Sequence, residues 1–451
     1  ARLLRFPDIH DDQIVFVYAG DLWTVNSDGG TARKLTAHDG YQMLPKFSPD
    51  GQHIAFTAKY DGNDNLFVIP AEGGEPRQLT FLQPPASLSE RSGPENMMLE
   101  WYPDSQNILF MSRRYTFHTW FGELFKISTE GGTPEKIQLP KGGLTSFSPD
   151  GSQIAYNRKF RNFRTWKRYT GGLAQDIWIY DFENNTSEQI TEWVGTDTEP
   201  MWVGDKIYFT SDRPSERNPE QKEPGTANVW EYDISTGEFT QRTFFTEFDV
   251  RWASAGITKL VFENAGYLYT LDVSRSGTQP EKLSVTVPGD RRLTYPNWED
   301  TKSMISTFNV APTGKRAVFE ARCEVFTVPK EHGDIRNLTH SSGIREKYPA
   351  WSPDGKWVAY FSDRNGEDDL YLRRDEPGAE EVRVTDNAQV FRYPPLWSPD
   401  SKKIAFSDKS FRLWYVNIDD KEPVLVDTSA HWEIRDYKWS PDSQWLSYSK
   451  N

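Results

Sequence analysis

A short turn recurs along this chain at intervals that leave little choice of architecture. It reads Phe47-Ser48-Pro49-Asp50-Gly51, Trp101-Tyr102-Pro103-Asp104-Ser105 and Phe147-Ser148-Pro149-Asp150-Gly151. It returns as Val310-Ala311-Pro312-Thr313-Gly314, Trp351-Ser352-Pro353-Asp354-Gly355, Trp397-Ser398-Pro399-Asp400-Ser401 and Trp439-Ser440-Pro441-Asp442-Ser443. The prolines are 54 and 46 residues apart in the first run, then 41, 46 and 42 in the second. Proline pre-sets the first turn position, aspartate bonds nearby backbone N–H groups, and glycine takes the positive φ. A period of roughly 40–50 residues is that of a propeller blade.

Each turn is followed by an apolar strand, such as Ile54-Ala55-Phe56 or Val358-Ala359-Tyr360. A third strand follows, such as Asn65-Leu66-Phe67-Val68-Ile69, and a fourth ends at Leu35-Thr36, Leu79-Thr80, Ile190-Thr191, Leu338-Thr339 or Val384-Thr385. Four short strands per period make one blade. Two further blades keep the strands without the proline turn, at Lys206-Ile207-Tyr208-Phe209 and Lys259-Leu260-Val261-Phe262.

The chain is therefore expected to be all-β, with two consecutive β-propellers of four-stranded, TolB-like blades. Residues 1–285 make a six-bladed ring, 286–303 a linker, and 304–451 three to four blades of a second, seven-bladed type of ring. A partial ring leaves blade edges unpaired. The natural protein is expected to continue past Asn451, by roughly 150–200 residues for seven blades at this period.

The net charge of −14 on 451 residues disfavours a phosphate backbone as a general partner. No run of eighteen apolar residues is present, so no membrane span is expected. The single Cys323 cannot form an intrachain disulfide. Ala1 at the start fits a removed signal peptide and leans toward export. No metal motif, glycine-rich phosphate loop or Gly-x-Ser-x-Gly elbow occurs, so no metal, cofactor or catalytic residue is assigned.

Sharper segments carry a resemblance. Pro7-Asp8-Ile9-His10-Asp11-Asp12-Gln13-Ile14-Val15-Phe16, with Asp21-Leu22-Trp23, resembles the opening of tricorn-type proteases. So do Trp166-Lys167-Arg168-Tyr169-Thr170-Gly171-Gly172 and Phe245-Thr246-Glu247-Phe248-Asp249. Asp11 stands where that family usually has glycine. The resemblance implies the propeller portion of a large serine peptidase that assembles as a hexamer. Its partners would be peptide substrates and its own C-terminal PDZ-like and catalytic domains, beyond residue 451. The propellers would admit, filter and position peptides. A stand-alone TolB-like scaffold for a protein partner is the alternative. The single propeller of a prolyl-oligopeptidase-type enzyme fits less well, because two propellers follow each other here.

The resemblance also implies an arginine pair between the second and third blades that holds a substrate's C-terminal carboxylate. That loop offers Arg91 alone, which otherwise reads as a solvated loop residue. The adjacent pair Arg113-Arg114 lies after the next strand and is a second candidate. Residues 158–168 hold Arg158, Lys159, Arg161, Arg164, Lys167 and Arg168 with no acid, interleaved with Phe160, Phe163 and Trp166. In an acidic chain this segment is expected to dock another domain or subunit, or else to be a structured loop whose cations meet nearby acids.

Overall fold

In the computed structural model, residues 1–81, 93–116, 122–139, 141–164, 166–218, 220–289, 295–341, 343–376 and 378–450 are described. They divide into two compact units, Ala1–Tyr295 and Pro296–Asn451.

The first unit is six antiparallel four-stranded sheets, each in chain order from an inner to an outer strand, spanning 5–34, 42–78, 96–136, 145–189, 197–241 and 251–282. They are six blades of one β-propeller. The second unit has three such sheets, at 305–337, 346–383 and 396–428, and a two-stranded one at 437–448. The apolar core lies between neighbouring blades. Phe16, Phe56, Phe110, Phe209 and Phe262, one from each of five middle strands, are fully buried. Each such ring contributes roughly 1.5–3 kcal/mol.

The recurring turn does three things at once. The Ser48 hydroxyl donates to Asp50 Oδ1 at 2.5 Å and accepts the His53 N–H at 3.0 Å, while Gln52 N–H donates to the same carboxylate at 3.1 Å. The same Ser–Asp bond is formed at 148–150, 352–354, 398–400 and 440–442. Where the fifth residue is serine, its hydroxyl also ties blades together. Ser105, Ser401 and Ser443 accept the N–H of Asp50, Asp354 and Asp400 in the preceding blade. The aromatic before the turn adds a second tie: the indoles of Trp101, Trp397 and Trp439 donate to Lys46, Ala350 and Leu396 carbonyls.

The first ring closes through both of its ends. Val285–Thr286 pairs in parallel with the outer strand Gly29–Lys34, Val285 opposite Gly30. Gly29 sits at φ +91°, and a Cβ there would lie 2.7 Å from the Ser284 carbonyl, so this strap requires glycine. The Ala1 ammonium donates to the Val285 carbonyl. Asp11, in the first hairpin turn, adopts φ +48°, a conformation aspartate tolerates.

Candidate functional site

Inner strands carry a bulge that shapes the axis of the first ring. Register slips between Arg5 and Asp8, Met43 and Lys46, Thr198 and Met201, and Arg251 and Ser254. At each slip one residue is left-handed: Phe6, Leu44, Glu199 and Trp252. Three of these four are followed by proline, which has no N–H to lose where the ladder is interrupted. The freed N–H groups are capped by acids from the preceding blade. Glu199 accepts Trp252 N–H at 2.8 Å and Ala253 N–H at 3.0 Å; Glu263 accepts Phe6 N–H at 2.6 Å. Burial holds both carboxyls above the usual carboxylate range, and Glu263 reaches about 7.

Long connections gather on one end of the ring, the end opposite the Pro-Asp turns. There a cavity of about 470 Å³ opens. Six cationic side chains line it: Arg5, Arg161, Arg164, Lys167, Arg168 and Arg251. The acids lining it are Glu199, Asp212 and Asp249. Lys167 Nζ lies 2.7 Å from Asp249, and Arg168 Nη2 3.3 Å from it. Burial opposes ionisation of Asp249, but these two cations hold its carboxyl below the ordinary value. Arg251 donates to the Asn162 carbonyl at 3.1 Å, and Arg161 to Thr196 Oγ1 at 2.5 Å. The wall of the cup carries more cations than acids, a local excess of positive charge in a chain of net charge −14.

The cationic loop expected to dock a partner thus builds this cup. Arg161, Arg164, Trp166, Lys167 and Arg168 all line it, whereas Arg158 lies 4.5 Å over the Trp178 ring. Phe160 is buried, and Phe163 packs on Phe6 and Trp252 toward the axis, with centroids at 6.3 and 5.1 Å. Trp166 is 46% exposed and stacks on Tyr169.

Arg91 lies outside the described residues. Arg113 is buried and donates to the Gly93 and Pro94 carbonyls at 3.0 and 2.7 Å. Arg114 Nε donates to Ser112 Oγ at 3.1 Å and its Nη2 to Asn96 Oδ1 at 3.4 Å. Arg213 does the same with Ser211 and Asp197, and Arg364 with Ser362 and Glu346. Arg114 therefore serves a repeated structural bracket joining the end of one strand to the start of its inner neighbour. Among the described residues no group of three or more His, Cys, Asp or Glu could hold a metal. No helix there is long and apolar enough to cross a membrane.

These features define a tandem β-propeller protein with a basic cup on the first ring. The Tricorn protease N-terminal beta propeller domain matches residues 1–277, and the Tricorn protease second beta propeller domain matches 305–451. The chain belongs to the tricorn protease family. It is 25% identical over 446 residues to a Tricorn protease homolog of Saccharolobus solfataricus, covering 98% of this chain and 39% of that protein. It is 26% identical over 458 residues to Tricorn protease homolog 1 of Streptomyces coelicolor, covering 99% and 40%. A Putative Tricorn-like protease N-terminal subunit of Sulfurisphaera tokodaii is 28% identical over 184 residues, covering 40% of this chain and 87% of that one. The crystal structure of the tricorn protease shares the fold, with a TM-score of 0.72 at 20% identity, covering 99% of this chain and 41% of that one. The chain thus spans about 40% of the length of the full-length relatives named here.

Proposed function

We propose that this chain is the N-terminal propeller portion of a tricorn-like serine peptidase, and that its first ring receives and positions peptides for a catalytic region outside these residues. The observation that carries this is the succession of two tricorn propeller domains on one chain, the first bearing a basic cup. Cleavage would be acyl transfer by an activated serine supplied by that other region. The PDZ-like domain and the assembly into a homo-oligomer, a hexamer by family resemblance, belong to the same proposal. Relatives in Sulfurisphaera tokodaii named as N-terminal and C-terminal subunits cover 40% and 55% of this chain, so a relative of this chain can be divided between two polypeptides.

The test is made on the complete gene product, with its partner polypeptide if there is one. It is expected to hydrolyse short peptides and to be labelled by a serine-directed fluorophosphonate, while the 451-residue chain alone does neither. A complete gene product that neither cleaves nor is labelled, with no partner that restores activity, would overturn the proposal in favour of a non-catalytic scaffold.

A further inference from the structure

One blade junction departs from its repeats. At these junctions the residue entering a third strand meets the residue five positions before Phe47, Trp101, Trp202, Trp351 or Trp397 in the next blade. Elsewhere the two satisfy each other or find other partners. Gln42 Nε2 donates to Asp21 Oδ1 at 3.4 Å and Asn96 Nδ2 to Asn65 Oδ1 at 3.5 Å, while Arg392 Nη1 lies 3.8 Å from Asp369 Oδ1. Glu324 and Glu346 are both acids, but Asn337 donates to the first, and Arg364, Ser341 and Ser362 to the second. Between the fourth and fifth blades the pair is Asp176 and Asp197.

The backbone holds these two acids side by side. Asn157 Nδ2 donates to both of their carbonyls, at 2.9 Å to Asp176 and 3.0 Å to Asp197. The Asp197 N–H donates to the Gln175 carbonyl at 2.8 Å. Asp197 is buried and Asp176 half-buried. Asp197 Oδ2 accepts from Arg213 Nη2 at 2.7 Å. Asp176 Oδ1 and Asp197 Oδ1 are buried and have no hydrogen-bond partner among the described residues. Two unmet carboxylate oxygens of like charge are costly together, and one proton between them supplies a donor and removes the repulsion. The charged groups facing Asp176 are Asp197, Lys159, Glu192 and Arg213. Burial and the Asp197 charge raise its carboxyl to about 6, with Glu192 adding and Lys159 and Arg213 opposing. Arg213 and the Ser211 and Thr191 hydroxyls face Asp197, and burial still holds it above its ordinary value.

The pair sits where the cationic loop returns to its sheet. Gln175 Nε2 donates to the Lys159 carbonyl at 3.2 Å and to Asn162 Oδ1 at 2.9 Å, and Lys159 Nζ donates to the Gly172 carbonyl at 2.6 Å. Gln175 thus joins the pair to the loop. We infer that Asp176 and Asp197 share one proton, and that this proton latches the loop's return, residues 166–175, to the fifth blade. In the latched form the Asp176 carboxyl donates to Asp197 Oδ1, whose sister oxygen keeps Arg213. Loss of the proton to solvent leaves two like charges at the junction, and the return loosens. This stands apart from peptide handling, and its failure leaves that reading untouched.

Hydrogen exchange on the 451-residue chain, corrected for the intrinsic pH dependence of amide exchange, reads the latch without a variant. The Ala174 and Asp197 amides donate to the Gly171 and Gln175 carbonyls. Their protection should be about threefold or more greater at pH 5.5 than at pH 7.5, with the Leu66 and Leu370 amides unchanged. Asp176→Asn carries its own donor at every pH and should keep the higher protection at both. Carboxyl carbon-13 NMR of the aspartate-labelled chain, assigned with that variant, should show Asp176 titrating near 6 and not near 3.8. Wild-type protection that does not change with pH, a change that persists in Asp176→Asn, or ionisation of both carboxyls near 3.8 would each overturn the latch. So would protection restored at pH 7.5 by millimolar calcium in the wild type and not in Asp176→Asn, which would place a metal ion between the acids.

Discussion

At the residue scale, the threonine that follows the outer strand in six of the blades shows how one hydroxyl holds a blade. Thr36, Thr80, Thr191, Thr243, Thr339 and Thr385 each accept an N–H at the start of the third strand of their own blade, from Leu22, Leu66, Ile177, Val229, Val325 and Leu370. Thr80 in turn donates to Asn65 Oδ1 at 2.8 Å. Thr80→Val would strand the buried Leu66 N–H and should cost about 1–3 kcal/mol in urea unfolding. Thr80→Ser, which keeps the hydroxyl, should recover most of it; equal losses would contradict the clasp. Glu263 makes a second residue-scale prediction. Burial raises its pKa from 4.5 to about 7, against the pull of Arg5, the Phe6 N–H and Arg251, and with a small push from Glu199. Between those values the folded chain holds a proton that the unfolded chain has released. Its contribution to stability therefore falls as pH rises through that window, by on the order of 3 kcal/mol in all. Glu263→Gln keeps the acceptor for Phe6 and cannot ionise. It should gain on the wild type between pH 5 and pH 7.5; a difference independent of pH would refute the assignment.

At the element scale, the strap Val285–Thr286 does what a full strand pairing would do in other closures, with two residues. Val285 is buried with Leu4, Val25, Ala32 and Leu283. Val285→Asp would bury a carboxylate among them, at a cost of roughly 2–4 kcal/mol. Amide exchange should then quicken in Arg5–His10 and Gly29–Lys34, and stay unchanged in the blade at 346–383. No local change would mean that packing of the end blades alone closes the ring. The blades themselves were plain in the sequence, because Pro-Asp turns and Leu-Thr strand ends are local rules repeated at a fixed period. The strap was not, because two residues pairing with a strand some 255 positions earlier leave no periodic trace. The Ser-x-Arg bracket is readable in the sequence: Ser112-Arg113-Arg114, Ser211-Asp212-Arg213 and Ser362-Asp363-Arg364 share one spacing. So is the proline after the bulge residue, in Phe6-Pro7, Leu44-Pro45 and Glu199-Pro200. The cationic run at 158–168 reads in the sequence as a docking or structured loop, and nothing in its spacing shows that it walls a cup. Which arginines share a cavity is decided by Arg5 and Arg251, brought in from other blades.

At the scale of the molecule, the two units differ in how completely their sheets are covered. In the first, the inner strand of every blade meets neighbours on both sides, and the ends are fastened together. In the second, the strand Ile305–Val310 shows Phe308 69% and Val310 55% exposed, while the equivalent strand Glu346–Trp351 is largely buried. At the opposite end of the unit Trp445 is 75% exposed. Each uncovered face forfeits the interblade burial that supplies most of a blade's stability, and offers apolar surface for association. The 451-residue chain should therefore melt in two calorimetric transitions, with the second unit unfolding first. Limited proteolysis near that first transition should leave a resistant fragment ending near Tyr295. Phe308→Ser with Val310→Thr should lower light scattering at high concentration, where these faces meet, and leave the upper transition where it was. A single cooperative transition, or scattering unmoved by the pair of substitutions, would show that the uncovered faces are not what sets this chain's stability and association.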